Sequence, residues 1–168
     1  MATSEPSFRR RRASPWLRTM LKVPTLIYRG PLAELMRSRC VLVLTTRGRK
    51  TGRPRTGAVS FMPIEDHFVV FSGWGVGSNW FQNIRANPDV TIRVGRKQMR
   101  ANALVVEDPD RRRALMLQMQ AHSRGCGPPR LIRPVLKLTH VFDYDGEIEM
   151  AVAAGSALPV VEIFPRRD

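Results

Sequence analysis

The chain has little of several things, and each scarcity narrows what it can be. No apolar run in the 168 residues approaches the roughly 20 that a membrane-spanning helix requires. Cys40 and Cys126 are the only cysteines, with no metal-ligand spacing around either. They read as free thiols in a reducing compartment, with Cys40 in the core, and this excludes a disulfide framework. His67, His122 and His140 have no partners at ligand spacing, so no zinc or iron site is indicated. There is no Gly-x-Ser-x-Gly elbow or Cys–His pairing to support nucleophilic catalysis. Without a repeat at a 20–50-residue period, solenoids and propellers are set aside.

Acidic residues are also scarce, 14 against 28 Lys and Arg, for a formal charge of +14. The imbalance is local. Residues 1–60 carry 14 cations against Glu5 and Glu34, while the remaining residues are close to neutral. A basic end on a near-neutral body implies an anion site, a membrane-surface segment or a nucleic-acid arm, and charge alone does not choose among them. Residues 9–12 followed by 16–28 have the charged start of a signal peptide. However, Arg18, Lys22 and Pro24 break any apolar core, and the expectation is a cytoplasmic protein.

Along the chain, residues 1–13 read as a disordered basic tail and 14–39 as two amphipathic helices. Ser14-Pro15 starts the first helix, and Leu32, Leu35 and Met36 lie on the second. Those helices either cover the domain or, with their cations, lie against anionic lipid, giving a peripheral membrane contact through residues 9–36. The rest, 40–168, reads as one barrel domain. Residues 40–46 (CVLVLTT) suit a strand buried on both faces. Residues 56–64, 68–72, 89–94, 98–106 and 159–164 add five more strands, joined largely by hairpins. Helices are expected at 80–87, stopped by Pro88, from Pro109 under an Asp108 cap, and over 142–157. Residues 122–140 are rich in Pro and Arg. The fold class is mainly β with flanking helices (α+β), a six-stranded antiparallel barrel.

Two segments carry the chemistry. Residues 47–55 (RGRKTGRPR) crowd five cations onto one turn with two glycines, and such a cluster repels itself unless it faces an anion. It lacks Walker spacing and the helix that follows a phosphate loop. The competing reading is a solvated basic hairpin. The second segment is the loop 72–79, with Gly73, Gly75 and Gly77 leaving backbone amides free to meet a flat ring. Trp74 and Trp80 offer planar faces beside it, and Asn79 and Asn83 share one helical face. Phe81 and Ile84 are expected in the core.

The ordered set Leu44-Thr45-Thr46, Gly48-Arg49-Lys50-Thr51-Gly52, Pro54-Arg55, Ser72-Gly73-Trp74-Gly75 and residues 79–88 (NWFQNIRANP) resembles the deazaflavin-dependent nitroreductase and quinone reductase family of actinobacteria. These are split β-barrel proteins, related to the FMN-binding pyridoxamine-phosphate oxidase type. The resemblance implies hydride transfer from reduced coenzyme F420 to a small quinone, enone or nitro acceptor. Arg49, Lys50 and Arg55 would hold the phosphate and glutamyl tail. Ser72, Gly73, Trp74 and Gly75 would meet the deazaflavin ring, and Trp80 and Asn83 would shape the groove. Family members place several tyrosines over the acceptor, whereas Tyr144 is the one tyrosine in the matching region and the expected proton donor. The alternatives are an FMN-binding barrel, a deazaflavin carrier without turnover, and a basic nucleic-acid-binding protein, although no aromatic residues interleave the cations as stacking would need. No specific nucleic-acid partner is expected, and either a monomer or a homodimer fits.

Overall fold

The computed structural model describes residues 33–73, 75–123, 126 and 158–166. The expected tail at 1–13, the helical stretch 14–32, residues 127–140 and the helix at 142–157 lie outside the described residues. In chain order the elements are helix α1 (Ala33–Ser38), strands β1 (Val41–Arg47), β2 (Pro54–Ile64) and β3 (His67–Phe71), and a 3-10 turn (Gly75–Gly77). Helix α2 (Asn79–Ala86), strands β4 (Asp89–Val94) and β5 (Lys97–Val105), helix α3 (Pro109–Ser123) and strand β6 (Val160–Pro165) follow. No helix among the described residues is long and apolar enough to cross a membrane.

Every strand pair is antiparallel, and the order β1-β2-β3-β6-β5-β4 closes on itself through the β1–β4 ladder. Closure leaves no strand edge unpaired. Two ladders join strands that are neighbours in sequence by two-residue turns. Glu65-Asp66 connects β2 to β3, and Gly95-Arg96 connects β4 to β5. Each turn needs one positive φ at its first central residue, +47° at Glu65 and +59° at Gly95. Glycine takes that conformation freely; glutamate takes it at a cost.

Alternation along β1 explains why it reads as a continuous apolar run. Leu42 and Leu44 point into the barrel core, while Val43 is covered outside by Ala33 of α1. Inside they meet Phe61, Val70, Ile92, Val161 and Ile163. Phe81 and Ile84 of α2, three apart on one helical face, pack into the same cluster. Burying each of those two side chains contributes about 2 kcal/mol. On the outer face, Leu115, Met116 and Met119 of α3 cover Met62, Val69 and Val160. Asp108 begins α3 as the sequence implies, its carboxylate accepting the backbone N–H groups of Asp110 and Arg111.

Two elements begin differently from expectation. Strand β2 starts at Pro54, because the ladder with β1 continues to the pair Arg47–Pro54. Cys40 is not part of β1. It closes the end of α1 in the left-handed region, at φ +56°. The free-thiol reading of the cysteines is overturned, because Cys40 and Cys126 form a disulfide with their Cα atoms 5.3 Å apart. Their sequence separation of 86 residues hid the pairing, and only the docking of α3 on the outer face of the barrel brings the two sulfurs together.

Candidate functional site

The basic hairpin is a closed loop rather than a loose turn. The Gly48 N–H donates to the Arg53 carbonyl at 2.9 Å, and the Gly48 carbonyl accepts from Thr51 at 3.2 Å and Gly52 at 2.7 Å. Gly52 sits at φ +66°, and a Cβ on buried Gly48 would stand 3.0 Å from the Arg53 carbonyl oxygen. Glycine is therefore favoured at Gly52 by its backbone conformation and at Gly48 by the close approach of the Arg53 carbonyl. Lys50, Arg53 and Arg55 are exposed on this frame. Among the described residues, no carboxylate forms an ion pair with these three, nor with Arg47 or Arg49. A loop closed by its own hydrogen bonds, its cations without a carboxylate partner among the described residues, suits an anionic ligand.

Arg49 differs from its neighbours because it is tied to α2. The Asn83 Oδ1 accepts from both the Arg49 backbone N–H and its Nη1, each at 3.2 Å. The Asn79 Oδ1 accepts from the same guanidinium at 3.4 and 3.5 Å. The two asparagines that share a helical face therefore grip one arginine. Asn83 is 3% exposed, and its Nδ2 donates to Thr46 Oγ1 at 3.0 Å. The Thr46 hydroxyl in turn donates to the Arg55 carbonyl at 3.4 Å. Thr46 follows Leu42 and Leu44 on the inward face of β1, so a polar side chain ends the apolar stripe and fastens the hairpin. Asn83 thus reaches the cation cluster through Arg49 rather than with a free amide of its own.

The glycine loop leads directly into α2. Ser72 is buried; its N–H donates to the Pro159 carbonyl at 2.9 Å and its hydroxyl to the Gly75 carbonyl at 2.8 Å. The Gly75 N–H returns to the Ser72 carbonyl at 2.8 Å, so residues 72–75 form a tight turn. Of the three glycines, only Gly75 has a positive φ, +65°. The loop is locked further by Gln82 Nε2, which donates to the Val76 carbonyl at 2.6 Å. Ser78 precedes α2 without a side-chain cap. Trp80 is half-buried, packs against the barrel core and meets Phe81 edge to face with ring centroids 6.2 Å apart. Hairpin and loop therefore meet at α2, which is the common support of Arg49, Trp80 and the turn at Gly75. Trp74 and Tyr144 lie outside the described residues.

Next to the base of the hairpin, an open cleft of about 270 Å³ is lined by Thr46, Arg47, Gly52, Thr91, Arg100 and Arg166, among others. Arg166 pairs there with Asp89. Ser72, Gly73 and Gly75 do not line this cleft, so it extends the cationic surface without including the loop. Sequence reasoning did not assign Thr46, Arg100 or Arg166 to a site, since β1, β5 and the residue after β6 come together only when the barrel closes. The signal for Asn79 was present in its four-residue spacing from Asn83, but the partner was not. Folding also gathers Cys40, His122 and Cys126, which showed no common spacing in the sequence.

A closed antiparallel barrel of six strands, with its glycine loop and basic hairpin anchored on one helix, defines the split-barrel fold class. In fold the chain is similar to the heme storage protein HutZ of Vibrio cholerae, with TM-score 0.54 and 16% identity, covering 83% of this chain and 91% of that one. It is also similar to a conserved hypothetical protein of Mycobacterium tuberculosis, with TM-score 0.53 and 17% identity, covering 81% and 79%. The sequence narrows the class. An F420H(2)-dependent quinone reductase of Mycobacterium tuberculosis is 32% identical over 100 residues, which span 54% of this chain and 67% of that protein. Residues 20–125 match the F420H(2)-dependent quinone reductase family, and the chain belongs to it.

Proposed function

We propose that the protein binds reduced coenzyme F420 and uses it to reduce a small quinone. Membership of the F420H(2)-dependent quinone reductase family supports both donor and acceptor class. When bound, the reduced deazaflavin supplies the hydride. The protein's own part is to hold and orient the reactants and keep water away from them.

The observation that carries this reading is the self-closed hairpin with exposed Lys50, Arg53 and Arg55, none paired with an acid among the described residues. In this reading Arg49, Lys50 and Arg55 hold the phosphate and glutamyl tail, a charge larger than a single phosphate. Backbone groups of 72–75 meet the ring, and Trp80 borders it. Trp74 is assigned to the ring contact on sequence position alone. Tyr144 donates the proton that accompanies the hydride onto the acceptor; this assignment rests on sequence position. Enones and nitro compounds are further acceptors under this reading, because they too accept a hydride followed by a proton. The cationic, amphipathic stretch 9–36 favours contact with anionic lipid from the cytoplasmic side, and a homodimer or monomer fits equally.

The test is a parallel titration with F420 and with FMN, following quenching of the three tryptophans, and then turnover of a soluble quinone with F420H2. Saturable F420 binding at least about tenfold tighter than FMN is expected, with quinone reduction. Preference for FMN would move the chemistry to flavin. Binding of neither, with steeply salt-dependent retention on nucleic acid, would favour the electrostatic alternative.

A further inference from the structure

We propose that Cys40, His122 and Cys126 form a redox-gated site for a borderline-soft divalent cation of the zinc class, occupied when the two cysteines are reduced. Cys40 lies between α1 and β1, His122 is in the last turn of α3, and Cys126 is four residues further along the chain. The donor atoms of the three residues all lie within 4.8 Å of one another. His122 Nε2 is 3.5 Å from Cys40 Sγ, and the Cys126 sulfur is 3.5 Å from the His122 carbonyl oxygen. Two thiolates and an imidazole are the ligand types that zinc prefers.

The backbone at Cys40 adds an independent observation. A non-glycine residue at φ +56° is strained, and a helix normally ends there on glycine. The conformation is held by hydrogen bonds on both sides. The Cys40 N–H donates to the Arg37 carbonyl at 3.0 Å, and its carbonyl accepts from Phe61 at 2.9 Å. What glycine lacks at this corner is a sulfur directed at His122 and Cys126. Burial is graded across the cluster: Cys126 is 2% exposed, Cys40 half-buried and His122 exposed, so one side of the cluster is dry and the other open.

The two states interconvert by balanced chemistry. A cellular dithiol reduces the Cys40–Cys126 bond; its two sulfurs are oxidised to a disulfide, and two thiols are left on this chain. A divalent cation then displaces both thiol protons and takes the His122 lone pair, releasing two protons to solvent. The sulfurs need only separate to about 3.8 Å, the edge of a tetrahedron with metal–sulfur bonds of about 2.3 Å. The 5.3 Å between the Cα atoms allows this by side-chain rotation. The fourth position falls on the open side, where His122 meets water. In either state the end of α3 stays fastened to the start of β1. Disulfides rarely persist in a reducing compartment, where the metal would take over the fastening.

The experiment compares the full-length chain after reduction by a phosphine, and after oxidation, each titrated anaerobically with Zn²⁺ and with Co²⁺. Only these two cysteines exist, so any thiolate-to-cobalt charge-transfer band reports this site. The expected result is one cation per reduced chain, retained on desalting, with tetrahedral cobalt spectra, and no retention by the oxidised chain. Cys126→Ser should abolish the band. His122→Gln, which leaves the disulfide and the fold in place, removes a direct ligand and should weaken the affinity of the reduced chain by more than the ~10–100-fold that loss of an outer-shell partner costs. A reduced, folded chain that retains no metal would overturn the proposal. Equal binding by the oxidised chain, or by Cys126→Ser, would do the same.

Discussion

Asn83 of α2 holds Arg49 of the basic hairpin twice, accepting from its backbone N–H and from its guanidinium through the same Oδ1, each at 3.2 Å. The residues are 34 positions apart in sequence. The helix that plugs the barrel therefore also sets the position of the cation loop, so the packing of Phe81 and Ile84 and the geometry of the anion site are one mechanical unit.

Replacing Asn83 by Ala is expected to lower stability by about 2 kcal/mol, because Thr46 Oγ1 and the Arg49 N–H lose a buried partner. F420 affinity should fall about tenfold as the hairpin loses its anchor. Asn79→Ala removes only longer, exposed contacts and should change affinity about threefold at most. Thermal melts together with F420 titrations separate the two effects. A loss of stability with unchanged affinity would confine Asn83 to a structural role.

The double replacement of Lys50 and Arg55 by Ala should weaken F420 binding more than about tenfold. The fold should be unaffected within about 0.5 kcal/mol, since exposed cations with no ion pair among the described residues contribute little to stability. The salt dependence of binding should also become shallower. Unchanged affinity in the titration would remove the hairpin from the site.

The glycines of the loop are predicted to be unequal. Gly75→Ala forces a side chain to φ +65° and should cost about 1 kcal/mol, with a distorted turn beside Ser72. Gly77→Ala places its Cβ where nothing lies within 4 Å and should be close to neutral. Equal melting temperatures for the two variants would contradict this account.

The two hairpin turns give opposite expectations for the same kind of exchange. Glu65→Gly relieves a positive φ and should be neutral to stabilising by a few tenths of a kcal/mol, the gain being offset by the freer unfolded chain. Gly95→Ala should destabilise by more than about 1 kcal/mol. It adds strain at φ +59° and drives a methyl group into the Glu34 carboxylate, which accepts from the Arg96 N–H at 2.9 Å. Denaturant midpoints would decide it; a Gly95→Ala midpoint matching the parent would show that α1 yields without cost.

Removing residues 1–13 should reduce binding to anionic vesicles while leaving turnover of a soluble quinone intact, because the segment's basic side chains are the four consecutive arginines 9–12. Loss of turnover on cosedimentation-negative protein would assign the tail to the active site instead.

Much of this protein follows from local pattern. Period-two alternation along 89–94 and the turn expected at Gly95-Arg96-Lys97 define β4 and its partner to within a residue, the strand taking Lys97 from the turn, because strand faces and turn conformations are properties of adjacent residues. The same holds for α3, whose start is written in Asp108-Pro109 and whose inner face is written in Leu115, Met116 and Met119. The cation cluster at 47–55 and the ordered motifs were enough to identify the family. Tertiary structure alone decided what lies across those elements. It joined β1 to β4 and β3 to β6, gave Arg49 to Asn83, and gathered Arg47, Arg100 and Arg166 around one cleft. It also bonded Cys40 to Cys126 beside His122. Spacing in sequence encodes which face a residue takes, whereas the partner it meets depends on how the barrel closes and where its helices dock, and no local period carries that information.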